Sequence, residues 1–175
     1  MLRHFRPINW RLLLLHFLAT FLLIMGARQL YVIPYVSFLE VYQRDGIEAM
    51  QKASGQSIGQ LTFDLVAAPL YARFAAVLIS CLLSALVVWH RRESKLIPVL
   101  LFVSTIISGR TGYEKSSYVH TALAFLRSPL EAEPKELGLA VVGGILILLG
   151  LLLFLLTWRR PQAKLDQSFA SSHHR

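Results

Sequence analysis

From Leu137 to Trp158 the chain runs for 22 residues without a single charge. As a helix rising 1.5 Å per residue, that stretch is about 33 Å long, enough to cross a hydrocarbon core about 30 Å thick. A second charge-free run, Phe74 to Trp89, spans 16 residues. Of the 175 residues, 55% are hydrophobic and 16% charged. The run lengths decide between a greasy soluble domain and a membrane protein: this sequence predicts an all-α integral membrane protein.

Apolar segments fall at about residues 10–30, 69–89, 96–115 and 137–158. They predict one domain over residues 1–160 with four transmembrane helices, followed by a tail, 161–175, whose Gln, Ser and His residues read as disordered. Its His173 and His174 are too few for a metal site, and no cofactor is expected. The basic residues set the orientation. Arg3, Arg6 and Arg11 precede the first segment, Arg91, Arg92 and Lys95 fill the second-to-third turn, and Arg159, Arg160 and Lys164 follow the fourth. With Arg175, that side holds ten of the 18 Lys and Arg, while eight of the ten acids lie on the other. The positive-inside rule then puts both termini in the cytoplasm and the two long loops outside. The same arrangement explains the net charge of +8 without nucleic acid, because the cations flank apolar runs instead of lining one polar face. The first segment has signal-peptide character but no A-x-A site, so an uncleaved first helix is expected.

The outer loops carry their own pattern. After Pro34, the residues Tyr35, Phe38, Leu39 and Tyr42 recur at i, i+3, i+4 and i+7, which predicts a short helix lying on the outer membrane surface. The stretch after Gly46 reads as a polar connector. Tyr118 to Leu126 is apolar but, at nine residues, too short to span, so an interfacial or re-entrant segment is expected.

Three arginines stand at one depth. Arg28 lies 17 residues from Arg11, Arg73 lies 16 from Trp89, and Arg110 lies 15 from Lys95, which places each about 22 to 26 Å from the inner boundary. Charge at that depth snorkels toward lipid phosphates or finds a partner. Snorkelling is the plainer reading. The sharper one has Arg28, Arg73 and Arg110 lining a single outward pocket with Glu114, Asp64 or Glu40, or binding an anionic group of a lipid or a partner protein, a role suited to the planar guanidinium.

Other polar residues within the spans speak more softly. His16 could relay protons in a small transport subunit, although a packed histidine is the commoner case. Ala140 and Gly144 form a small-xxx-small pair, with Gly138, Gly143 and Gly150 nearby, suited to close helix packing. Cys81, the sole cysteine, excludes an intrachain disulfide framework.

The stretch ARQLYVIPYVSFLEVY and the start of the second span, YARFAAVLISCLL, each set an Arg beside aromatics at the outer end of a helix. In this the first 90 or so residues resemble the small multi-span proteins encoded beside exosortases in Bacteroidetes. The resemblance implies a non-catalytic accessory subunit of the bacterial inner membrane whose partner is another integral membrane protein, an exosortase-like sorting transpeptidase. Exosortases use Cys, Arg and His, and Cys81, Arg110 and His120 occur in that order here. An intramembrane cysteine transpeptidase or protease is therefore the alternative. Helix rise opposes it: Cys81 falls about 12 Å from the inner boundary and Arg110 about 22 Å, whereas nucleophile and base must approach within roughly 3 Å.

Overall fold

The computed structural model describes residues 7–110, 116–130 and 134–158, apart from the side chains of Thr62, Ala68 and Arg110. Among the described residues every regular element is helical: α1 (Trp10–Val32), α2 (Val36–Ser54), α3 (Ile58–Thr62), α4 (Ala68–Arg91), α5 (Leu96–Arg110), α6 (Ser117–Arg127) and α7 (Lys135–Trp158). Three of them, α1, α4 and α7, are long and apolar enough to cross a membrane. With 15 residues, α5 measures about 22 Å, shorter than a bilayer core. Residues 111–115, by which the third span was expected to lengthen, lie outside the described residues.

Helix α1 packs against α7, α4 and α5. Its buried residues accordingly fall on several sides, among them Leu12, His16, Ala19, Leu23, Ile24 and Met25. The seam with α7 is antiparallel and built on small residues. A Cβ added at Gly26 would stand 2.7 Å from the Gly143 carbonyl oxygen, and one at Gly150 would stand 2.9 Å from the Ala19 carbonyl oxygen. Each helix thus repeats its small residue after seven positions, two turns, which lets the backbones approach. The expected pair Ala140 and Gly144 is not that seam, since a Cβ at Gly144 would meet nothing within 4 Å.

Contacts along the bundle fix the direction of the other helices. His16, early in α1, bonds to Ser84, late in α4, and the Cys81 thiol meets the Pro98 carbonyl at the start of α5. The beginning of α1, the end of α7 and the α4–α5 turn therefore share one end. All three tryptophans, Trp10, Trp89 and Trp158, are exposed there. The described tyrosines, Tyr31, Tyr35, Tyr42, Tyr71 and Tyr118, belong to the other end.

Three prolines interrupt the helical ladders, and in each case the stranded carbonyl finds another donor. Pro34 has no N–H for the Leu30 carbonyl four residues back, and the Ile33 N–H takes it by tightening into a 3-10 turn. The chain therefore runs on from α1 into α2. Pro98 leaves the Ser94 carbonyl, which accepts from Ile97 N at 3.2 Å. Pro69 follows a π turn, Phe63–Ala67. In that register its missing N–H would have served the Asp64 carbonyl, and the Tyr31 hydroxyl donates to that oxygen at 2.8 Å instead.

At the tyrosine end, one connection departs from expectation. Past a bend at Gly46 (φ 86°, ψ −176°, a conformation almost reserved for glycine), α2 continues to Ser54 and stops at Gly55 in the left-handed region. The stretch read as a polar connector is helical because Glu48, Ala49, Gln51 and Lys52 favour helix and Met50 is buried. The apolar stretch from Tyr118 forms α6, N-capped by the Ser116 hydroxyl, which accepts from Val119 N at 3.4 Å. Val119 and Leu123 pack onto Met25, Val142 and Leu146, tying α6 to the α1–α7 seam.

Candidate functional site

Two polar centres lie at opposite ends of the bundle. At the tryptophan end, the fully buried His16 joins three helices, with Nδ1 2.8 Å from Ser84 Oγ and Nε2 3.1 Å from Thr157 Oγ1. The Thr157 hydroxyl donates to the Phe154 carbonyl at 2.8 Å, so its oxygen can only accept from the ring. His16 Nε2–H is therefore the donor and Nδ1 accepts from Ser84, which assigns one tautomer of the neutral imidazole. Arg91 Nη1 donates to the Thr157 carbonyl at 3.0 Å, and Asn9 Nδ2 donates to Glu93 at 3.2 Å. These bonds clamp α1, α4 and α7 together.

At the tyrosine end, a cavity of about 390 Å³ opens between α1, α2, α6 and α7. Met25, Val32, Val36, Leu39, Leu123 and Leu139 form its apolar wall. Its polar wall carries Arg28, Gln29, Gln43, His120, Arg127 and Lys135, with Glu40 as the acid. Lys135 Nζ donates to Glu40 Oε1 at 2.5 Å, holding α7 to α2. Arg127 Nη2 donates to Gln29 Oε1. Arg127 Nε is buried with no acceptor among the described residues, and desolvation lowers the pKa of this guanidinium.

Of the expected arginines, Arg28 and Arg73 do not share a wall. Arg28 lines this cavity, whereas Arg73 lines a groove of about 280 Å³ between α4 and α5 with Thr105 and Gly109. Arg73 Nη2 donates to the Thr105 carbonyl at 3.5 Å. The guanidinium lies over Gly109, where an added Cβ would collide with it. The Arg110 side chain and Glu114 lie outside the described residues. Asp64 accepts the Tyr31 hydroxyl through its backbone, not its carboxylate.

On α2, the face turned to the cavity is Val36, Leu39, Glu40 and Gln43. That is one position on from the expected stripe Tyr35, Phe38, Leu39 and Tyr42, which shares only Leu39 with it. Tyr42 is exposed, while Tyr35 and Phe38 are half-buried, the Tyr35 ring tilted against Tyr31 at 5.6 Å. Cys81 and His120 stand apart. The thiol reaches the Pro98 carbonyl at 3.9 Å between α4 and α5, and His120 lines the cavity flanked by α1, α2, α6 and α7. Among the described residues no group of three His, Cys, Asp or Glu could hold a metal ion.

Sequence reasoning missed Gln29, Arg127 and Lys135. Arg127 and Gln29 are 98 positions apart and Lys135 and Glu40 are 95 apart, so no local period links them. The available signal was that α6 ends in a cation. Comparison with known protein families, curated proteins and solved structures found no match.

Proposed function

We propose that this chain is a non-catalytic accessory or scaffold subunit of a membrane assembly. In this reading α1, α4, α5 and α7 all cross the bilayer, both termini face the cytoplasm, and α2 and α6 lie on the outer face of a bacterial inner membrane. Support for four crossings comes from the antiparallel course of α5 against α4 and from the tryptophan belt at the basic end. The short α5 is accommodated by local thinning of the bilayer.

The observation that carries the scaffold reading is the separation of its chemistry. His16 spends both ring nitrogens on interhelical bonds, the Cys81 thiol meets a backbone carbonyl far from His120, and unspent polar groups gather instead at the tyrosine end. A nucleophile without a base and a histidine without a free nitrogen favour assembly over catalysis or proton transfer. The resemblance of the N-terminal half makes an exosortase-like transpeptidase the first partner class to test.

The experiment is purification of the tagged chain in mild detergent from its own host, with and without prior crosslinking, followed by identification of the membrane proteins that accompany it. A stoichiometric membrane protein partner is the expected result. A chain that emerges alone under both conditions, or whose cellular role is abolished by Cys81→Ala while the fold is intact, overturns the reading.

A further inference from the structure

We propose that the cavity at the tyrosine end binds the phosphate headgroup of an anionic phospholipid, with the acyl chains lying along its apolar wall. The proposal stands apart from the scaffold reading and needs only that this end of the helices meets a bilayer surface.

Charge comes first. Among the described residues, three permanent cations, Arg28, Arg127 and Lys135, face the cavity together with His120, against the single carboxylate of Glu40. Glu40 is already engaged by Lys135, so the two guanidiniums hold the excess. Arg28 has no hydrogen bond or ion pair among the described residues. Arg127 satisfies one Nη on the neutral Gln29 and leaves Nε buried without an acceptor. A buried donor without an acceptor among the described residues is uncommon and points to a group that those residues do not supply. Two guanidiniums match a phosphate well, because each offers a planar fork of donors to its oxygens.

Shape and position narrow the source of that phosphate. The cavity is half apolar, with Met25, Val32, Val36, Leu39, Leu123 and Leu139 beside the cations. A free anion would gain nothing from that wall, whereas an amphiphile uses both halves. Arg28 stands 18 residues along α1 from Trp10, about 27 Å of rise, which is where headgroups begin. At that level the two guanidiniums are within reach of the phosphate oxygens of lipid headgroups.

The test uses the full-length protein, delipidated in a neutral detergent and studied by native mass spectrometry and by competition with a fluorescent phosphatidylglycerol. The probes are phosphatidylglycerol, phosphatidylcholine and inorganic phosphate. One phosphatidylglycerol should bind per chain, with affinity falling about tenfold in Arg28→Gln and at least as far in Arg127→Gln, since each loses a charge-assisted contact. Arg28 is exposed, so its variant keeps the test valid if Arg127→Gln fails to fold. Equal binding of phosphatidylcholine would overturn the charge argument, and inorganic phosphate binding as tightly as phosphatidylglycerol would overturn the lipid source. Unchanged phosphatidylglycerol affinity in Arg28→Gln would overturn the site.

Discussion

Replacing Gly26 with Ala asks how close α1 and α7 come. The new methyl would stand 2.7 Å from the Gly143 carbonyl oxygen and 3.0 Å from the Ile147 amide nitrogen, both backbone atoms, and 2.7 Å from Ile147 Cγ1. A side-chain tip could swing aside, but a backbone carbonyl cannot, so the helices must separate. Overpacking of this kind costs about 1–3 kcal/mol. Gly to Ala also raises helix propensity by about 1 kcal/mol, which would blur the result for one variant. Gly144→Ala supplies the correction, since the same substitution there meets nothing within 4 Å. The propensity gain is common to both, so the difference between the two variants isolates the clash at about 1–3 kcal/mol. Unfolding by sodium dodecyl sulfate in mixed micelles, followed by circular dichroism, measures it. Equal stability of Gly26→Ala and Gly144→Ala would refute the close seam and the packing order built on it.

A double-mutant cycle between His16→Ala and Ser84→Ala should return a coupling of about 0.6–1.7 kcal/mol, the range for hydrogen bonds between membrane helices. Strict additivity would mean that the buried contact contributes nothing. Alkaline phosphatase fused after Ser54 should be active and the same enzyme fused after Arg92 inactive; the reverse pattern would invert the proposed topology. Cys81→Ala removes one half-buried sulfur and should cost about 1 kcal/mol of stability. Lys135→Met should cost less than about 1 kcal/mol, because its bond to Glu40 is largely exposed.

How much of this was legible depended on the range of each cause. Helix α7 declares itself through 22 uncharged residues, and the α4–α5 turn through its clustered cations, because apolar length and charge clustering are both properties of contiguous sequence. Pro34 marks the start of the expected second helix only in part, because one 3-10 bond from Ile33 repairs the ladder and α1 leads directly into α2. The one-position shift in the inward face of α2 has the same origin, since the angle at which that turn delivers the helix sets which side meets the bundle. The arginines illustrate the opposite limit. Helix rise gave Arg28 and Arg73 a common depth, but their azimuth depends on how α1 and α4 rotate against their neighbours, and that rotation sends one toward α6 and the other toward α5. Arg127 belongs to the cavity through a partner 98 positions away, a distance no periodicity spans.

The placement of Trp10, Trp89 and Trp158 at one end gives the molecule an optical polarity. Its entire indole emission arises from a single rim, so a water-soluble quencher confined to one face of sealed proteoliposomes would dim nearly all of the signal or almost none. Orientation of the inserted protein could then be read without a label, with Trp158 set apart from the other two by the His90 ring stacked on it at 4.7 Å.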